Sequence, residues 1–191
     1  MKILNLYSGI GGNRKAWGKN HQVTAVEINK DIATEYLKNF PKDKVFVTDA
    51  HQFLLDHYKE FDFIWASPPC PTHSKLNYCM NNKRYPDMTL YQEIIFLKYW
   101  FKGDWVIENV QPYYKYLIEP SVELGRHLFW SNFQISQKTF KNIDLSRSNK
   151  EQLSADLKIS IPECKGARLL LRNCLKPEIS KHIFKHLRGK K

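Results

Sequence analysis

From its first residues to about position 110, the chain alternates short apolar runs with longer amphipathic ones. Ile3–Tyr7, Val23–Glu27, Lys44–Thr48, Phe61–Ala66 and Asp104–Asn109 have the length and residue types of strands. Between them the pattern predicts a short helix toward Asn20, a helix over Asp31–Phe40 stopped by Pro41, and another over His51–Tyr58. After a long loop, Ser67–Met88, Thr89-x-x-Gln92 reads as a capping box that opens a very apolar helix to Phe101. Strands and helices in strict alternation predict an α/β fold: a mostly parallel sheet with helices on both faces.

Beyond Pro112 the pattern changes. His127–Trp130 and Phe133–Ile135 read as two more strands about a turn at Ser131-Asn132. Phe140–Pro162 is polar and weakly patterned, with a helix expected over Glu151–Leu157, and Arg168–Leu175 and Pro177–Leu187 read as helices. There is no internal repeat and no low-complexity tract.

A chain of 191 residues suggests one domain, or one domain with a small appendage. No apolar run approaches the ~20 residues of a membrane span, and the N-terminus opens on a strand-like run rather than a signal peptide. Cys70, Cys79, Cys164 and Cys174 lie far apart with no CxxC pair. That argues against a zinc site or disulfide framework and for the reducing cytoplasm, and no metal is expected. The formal charge of +11 favours a polyanionic partner, a nucleic acid first, though a merely soluble basic surface gives the same number. The basic tail, His182–Lys191, reads either as a phosphate contact or as a frayed end.

Four places carry candidate chemistry. Ser8-Gly9-Ile10-Gly11-Gly12 turns the chain after the first strand, and such a turn is either a ligand cradle or an ordinary strand-to-helix connection. Glu27 ends the second strand, where a carboxylate can accept both hydroxyls of a ribose. Asp49 precedes the segment starting at Ala50 and reads as a helix N-cap. Finally, Cys70 lies in a loop beyond one strand and Glu108 at the end of another, so both can face the sheet edge where α/β folds bind ligands. A lone cysteine is usually a small buried hydrophobe, but this loop offers few apolar neighbours to bury it. A carboxyl group buried there is expected to have a raised pKa.

Ser67-Pro68-Pro69-Cys70, Glu108-Asn109-Val110 and the glycine turn, in this order and at these intervals, resemble the DNA cytosine-C5 methyltransferase family. The resemblance runs from residue 3 to about 187 and implies a Rossmann-like methyltransferase fold with S-adenosylmethionine as cofactor. It implies that Tyr7, Ser8, Gly9, Gly11, Gly12, Glu27, Ile28, Asp49, Ala50, Pro69 and Asn173 bind that cofactor. It makes Cys70 the nucleophile on cytosine C6, Glu108 the partner of ring N3, and Arg126 a contact to the base O2 or a phosphate, with His127 in an equally plausible register. Ser74, Asn109, Arg126 and His127 would meet the nucleic acid. The sequence departs from the family at Asn5 (usually aspartate), Tyr7 (phenylalanine), Pro71 (glutamine), His73 (phenylalanine) and Arg172 (glycine).

The implied organisation is a catalytic core over 1–135, a small insert over 136–165 in place of a target recognition domain, and a helical segment over 166–191 that returns to the core. The expectation is a compact, phage-like DNA cytosine-C5 methyltransferase whose specificity is relaxed or supplied by a partner. RNA is the alternative substrate, and a catalytically silent nucleic-acid-binding homologue is the alternative class.

Overall fold

The computed structural model describes residues 1–78, 84–140 and 148–188. Cys79, part of the long loop, part of the polar insert and the last three residues of the basic tail lie outside the described residues. Among the described residues, seven strands form one sheet: β1 (Lys2–Leu6), β2 (Gln22–Val26), β3 (Lys44–Phe46), β4 (Phe63–Ala66), β5 (Asp104–Val110), β6 (Val122–Leu124) and β7 (His127–Ser131). Their order is β3-β2-β1-β4-β5-β7-β6. β1 to β5 are parallel, and β7 pairs antiparallel with both β5 and β6. The helices are α1 (Lys30–Asn39), α2 (Ala50–His57), α3 (Lys75–Tyr78), α4 (Thr89–Trp100), α5 (Lys150–Leu157), α6 (Ala167–Asn173) and α7 (Pro177–Phe184). This is the expected Rossmann-like architecture.

The period of two along each strand divides the core. Ile3, Phe63, Trp65 and Phe129 point to the face covered by α7, where they meet Trp17, Ile179, Ile183 and Phe184. Leu4, Leu6, Ile64 and Ala66 point to the other face and meet Phe53 and Leu54 of α2 and Leu90, Ile94 and Leu97 of α4. β4 is buried at all four positions, the signature of a strand covered on both sides. Each fully buried large side chain contributes roughly 2 kcal/mol of burial. A third cluster packs Leu153 and Leu157 of α5, Ile159 and Leu171 of α6 against Ile10 in the glycine turn.

α7 starts with Pro177 at its first turn, where the missing N–H has no helical partner to lose. Its buried Ser180 accepts a hydrogen bond from Trp17 Nε1 at 2.7 Å and donates to the Asn13 carbonyl at 2.7 Å. Ser180→Ala leaves a buried indole N–H unpaired, and a loss of about 1–3 kcal/mol is expected in urea denaturation with an unchanged m-value.

Three local readings of the sequence are corrected. Thr89 does not cap α4: Met88 occupies the cap position with helical backbone and no side-chain bond, and Asp87 Oδ1 accepts from Thr89 N at 3.0 Å. A capping box does form at α5, between Asn149 and Gln152. Phe133–Ile135 is not a strand. There Asn132 replaces ladder bonds with its side chain, donating to the Gly103 carbonyl at 2.8 Å and accepting from Trp105 N at 3.0 Å. The strand that completes the sheet is β6, preceding β7. The described part of the basic tail is tied to the fold, since Arg188 Nε lies 2.6 Å from Asp104 Oδ1.

Candidate active site

β1 delivers the chain to the glycine turn. Tyr7 takes left-handed backbone at φ 55°, and Gly11 follows at φ 88°. A Cβ on Gly11 would lie 2.2 Å from a ring carbon of Phe40. A Cβ on Gly12 would lie 2.8 Å from Cys174 Cβ and 2.9 Å from the Leu175 carbonyl. Glycine at 12 therefore lets the segment after α6 close directly onto the turn, and this brings Asn173 to the same pocket. Tyr7 OH donates to Glu93 Oε1 at 2.5 Å, and His51 Nδ1 stands 3.2 Å from that oxygen. Burial, then the Glu93 carboxylate, holds the Tyr7 hydroxyl protonated far above the usual phenol range.

Glu27 Oε2 accepts from Gly9 N at 3.0 Å and Oε1 from Asn29 N at 3.0 Å, so the carboxylate ties the turn to the end of β2. Asp49 caps α2 through Gln52 N at 2.7 Å, and Ile28 is 70% exposed beside Glu27.

β4 delivers the chain to Ser67–Cys70. The Cys70 carbonyl accepts from His73 N and Ser74 N, both at 3.0 Å, which folds the loop back on itself. His73 is buried, with Nδ1 2.6 Å from Tyr114 OH, and burial lowers its pKa and keeps the ring neutral. Asn109 Nδ2 donates to the Pro68 carbonyl at 3.0 Å, so the end of β5 holds the approach to Cys70 directly.

One pocket of about 290 Å³ unites these parts. Tyr7, Ser8, Gly9, Gly12, Pro69, Cys70, Glu108, Asn109, Arg126, His127 and Asn173 line it, together with Ile10, Asn13, Ser67 and Cys174. Gly11, Glu27, Ile28, Asp49, Ala50 and Ser74 lie outside its lining; Ser74 bridges to Pro112 instead. The Ser8 hydroxyl is buried without a hydrogen-bond partner in the structure and faces a pocket with room for one.

The electrostatics of Glu108 reverse the sequence expectation of a raised pKa. Burial does push its carboxyl group up. The His127 charge and hydrogen bond, the Ser67 hydroxyl and Arg126 together outweigh that and hold it below the usual carboxylate range. His127 Nδ1 lies 2.5 Å from Glu108 Oε1, and its ring is buried rather than turned outward. Sequence reasoning does not find this pair, because only the antiparallel pairing of β7 with β5 sets His127 beside Glu108. Arg126 Nη2 donates to the Arg172 carbonyl at 2.6 Å.

Burial, then the Glu108 charge, pushes the Cys70 thiol above its ordinary range, with Arg126 opposing. Alkylation of Cys70 by iodoacetamide, read by peptide mass spectrometry, should therefore rise about tenfold per pH unit between about pH 7 and pH 9. In Glu108→Gln the rise should begin at lower pH, because a repelling charge is gone.

The model of the C-5 cytosine-specific DNA methylase family matches residues 1–113. The tRNA (cytosine(38)-C(5))-methyltransferase of Spodoptera frugiperda is 39% identical over 75 residues, which is 36% of this chain and 23% of that protein. The human protein of the same name is 28% identical over 82 residues, 40% of this chain and 21% of its own length. The chain thus matches less than a quarter of the length of these curated relatives. The solved structure of a mutant DNMT2 from Spodoptera frugiperda is similar over 57% of this chain and 35% of its own, at 31% identity and a TM-score of 0.43. The family match spans more than half of the chain and takes in the glycine turn, Cys70 and Glu108. The chain accordingly belongs to the C-5 cytosine-specific DNA methylase family, with S-adenosylmethionine as its cofactor.

Proposed function

We propose that the chain methylates C5 of cytosine in a nucleic acid, with DNA as the first substrate. The observation that carries this reading is the convergence of Cys70 and Glu108 on one pocket that the glycine turn also lines. The polar groups at hand suit the cofactor: the unpaired Ser8 hydroxyl in the pocket suits a carboxylate, and the Glu27 carboxylate, outside the pocket lining but bonded to Gly9 N, suits ribose hydroxyls. Ser8, Gly9, Glu27 and Asn173 would hold it. S-adenosylmethionine, when bound, supplies an electrophilic methyl group on its sulfonium.

The chain's own residues make the base reactive. The Cys70 thiolate bonds to C6, and the C5=C6 π pair shifts over C5, C4 and N3. Glu108 meets the charge arriving at N3. C5, a poor nucleophile in the free base, thereby becomes a good one. Once C5 is substituted, transfer of its proton to water and departure of Cys70 from C6 as the thiolate restore the aromatic ring. A base must leave the stack to reach such a site, or come from a single strand.

The names of the curated relatives support a second substrate, transfer RNA. Incubation with radiolabelled S-adenosylmethionine and either duplex DNA or transfer RNA, followed by digestion to nucleosides, separates the two. Label in 5-methyldeoxycytidine supports DNA, and label in 5-methylcytidine supports RNA. Label in neither, with cofactor binding intact, points to the silent nucleic-acid-binding homologue.

A further inference from the structure

We infer that His127 is the proton partner of Glu108: the imidazole and the carboxyl group share one proton, lend it to cytosine N3 while Cys70 is bonded to C6, and take it back when that bond breaks. This rests on the cytosine reading and adds to it a positioning residue that acts through Glu108.

The geometry is specific. Phe129 stands directly across from Glu108 in the β5–β7 ladder, and His127 lies two residues before it, on the same face. That diagonal brings Nδ1 to 2.5 Å from Oε1. Both side chains are nearly closed to solvent, with relative exposures of 6% and 12%. A buried carboxylate hydrogen-bonded to an imidazole nitrogen can pass a proton along that bond. The other groups that face the pair are the Ser67 hydroxyl from the loop after β4, the Cys70 thiol, and Arg126 from the turn between β6 and β7. Arg126 is a fixed cation and the serine hydroxyl a neutral donor, so neither replaces the imidazole as a store for this proton.

The proton count closes. Before attack the pair carries one proton, and the Cys70 thiol has released its own proton to water to give the thiolate that attacks. As the Sγ–C6 bond forms, the electron pair reaching N3 takes that proton, leaving a Glu108 carboxylate and a neutral His127. When the Sγ–C6 bond breaks, the N3 proton returns to the pair.

The test compares the chain with His127→Gln in single-turnover methyl transfer across pH, with covalent trapping by 5-fluorocytosine nucleic acid run in parallel. Glutamine can still donate to Glu108 but cannot give up a proton. The expected loss in kcat is about 10²-fold, with KM for nucleic acid unchanged. The turn in the pH profile set by the pair's proton should move, since glutamine leaves the carboxyl group as the only member of the pair that can hold that proton. In a double variant with Glu108→Gln, the loss should be no larger than for Glu108→Gln alone. An unmoved turn, whether or not activity falls, overturns the proposal and leaves His127 a structural role. A raised KM with kcat intact also overturns it, by making His127 a nucleic-acid contact. Additive losses in the double variant overturn it even if His127→Gln is partly unfolded. If the unaltered chain forms no adduct, the cytosine reading falls and this proposal with it; if that adduct forms and His127→Gln matches it at every pH, only the proposal falls.

Discussion

Cys70→Ala is expected to abolish covalent trapping of 5-fluorocytosine nucleic acid and to lower methyl transfer by on the order of 10⁴-fold or more, with S-adenosylmethionine binding retained. Fluorine at C5 cannot leave as a proton does, so attack at C6 by an active chain ends in a stable adduct. The substitution removes only the attacking atom. The loop is held by the Cys70 carbonyl, which accepts from His73 and Ser74, and by the Asn109 side chain on Pro68. None of these bonds uses the thiol. A second thiol, Cys174, lines the same pocket, but burial pushes it up to about 12, beyond the pH at which a thiolate is plentiful. Adduct formation that survives in Cys70→Ala and disappears in Cys174→Ala would move the nucleophile to Cys174 and end the proposed mechanism. Equilibrium dialysis with labelled cofactor separates loss of chemistry from loss of fold.

Much of this site is legible in the sequence because its parts are local. A strand end followed by glycines, a strand end followed by Pro-Pro-Cys and a strand end carrying Glu-Asn-Val each state their own position, and a parallel sheet then gathers them at one edge. The parts that are not legible are those made by pairing across the sheet. β6 has only three residues, Val122–Leu124, too few to show alternation, yet it completes the edge beside β7. Phe133 and Ile135 alternate like a strand and are buried like one, but Asn132 satisfies the neighbouring backbone through its side chain. The raised pKa expected of Glu108 follows from burial alone. It fails because the neighbour that decides the sign, His127, is set beside it by antiparallel register. Similarly, the Tyr7–Glu93 bond joins residues on β1 and α4 whose contact follows from how α4 lies across the sheet.

The largest stability effect lies in another buried pair of residues distant in the sequence, Arg14 and Asp43. Arg14 Nε lies 2.7 Å from Asp43 Oδ2, and Nη2 lies 3.1 Å from Oδ1. Tyr36 OH donates to Asp43 Oδ2 at 2.8 Å, and Arg14 Nη1 to the Gly18 carbonyl at 2.8 Å. The side chains of Arg14 and Asp43 are only 8% and 3% exposed. Asp43→Ala therefore strands a buried guanidinium and a buried phenol, and a loss of about 3–5 kcal/mol is expected, equivalent to a fall of about 10 °C in Tm. That is a large share of the roughly 5–15 kcal/mol that holds a domain folded. The effect should also reach the pocket, because Arg14 lies two residues after the glycine turn and Lys15 N donates to the Gly11 carbonyl at 3.2 Å. The discriminating comparison is the double variant Arg14→Met/Asp43→Leu, which removes both charges and fills their space. Urea denaturation should show it recovering most of the single variant's loss, since the penalty comes from the uncompensated charge rather than from the missing bond. A double variant as unstable as Asp43→Ala would show instead that the pair itself, and not the avoidance of a stranded cation, holds α1 against the turn.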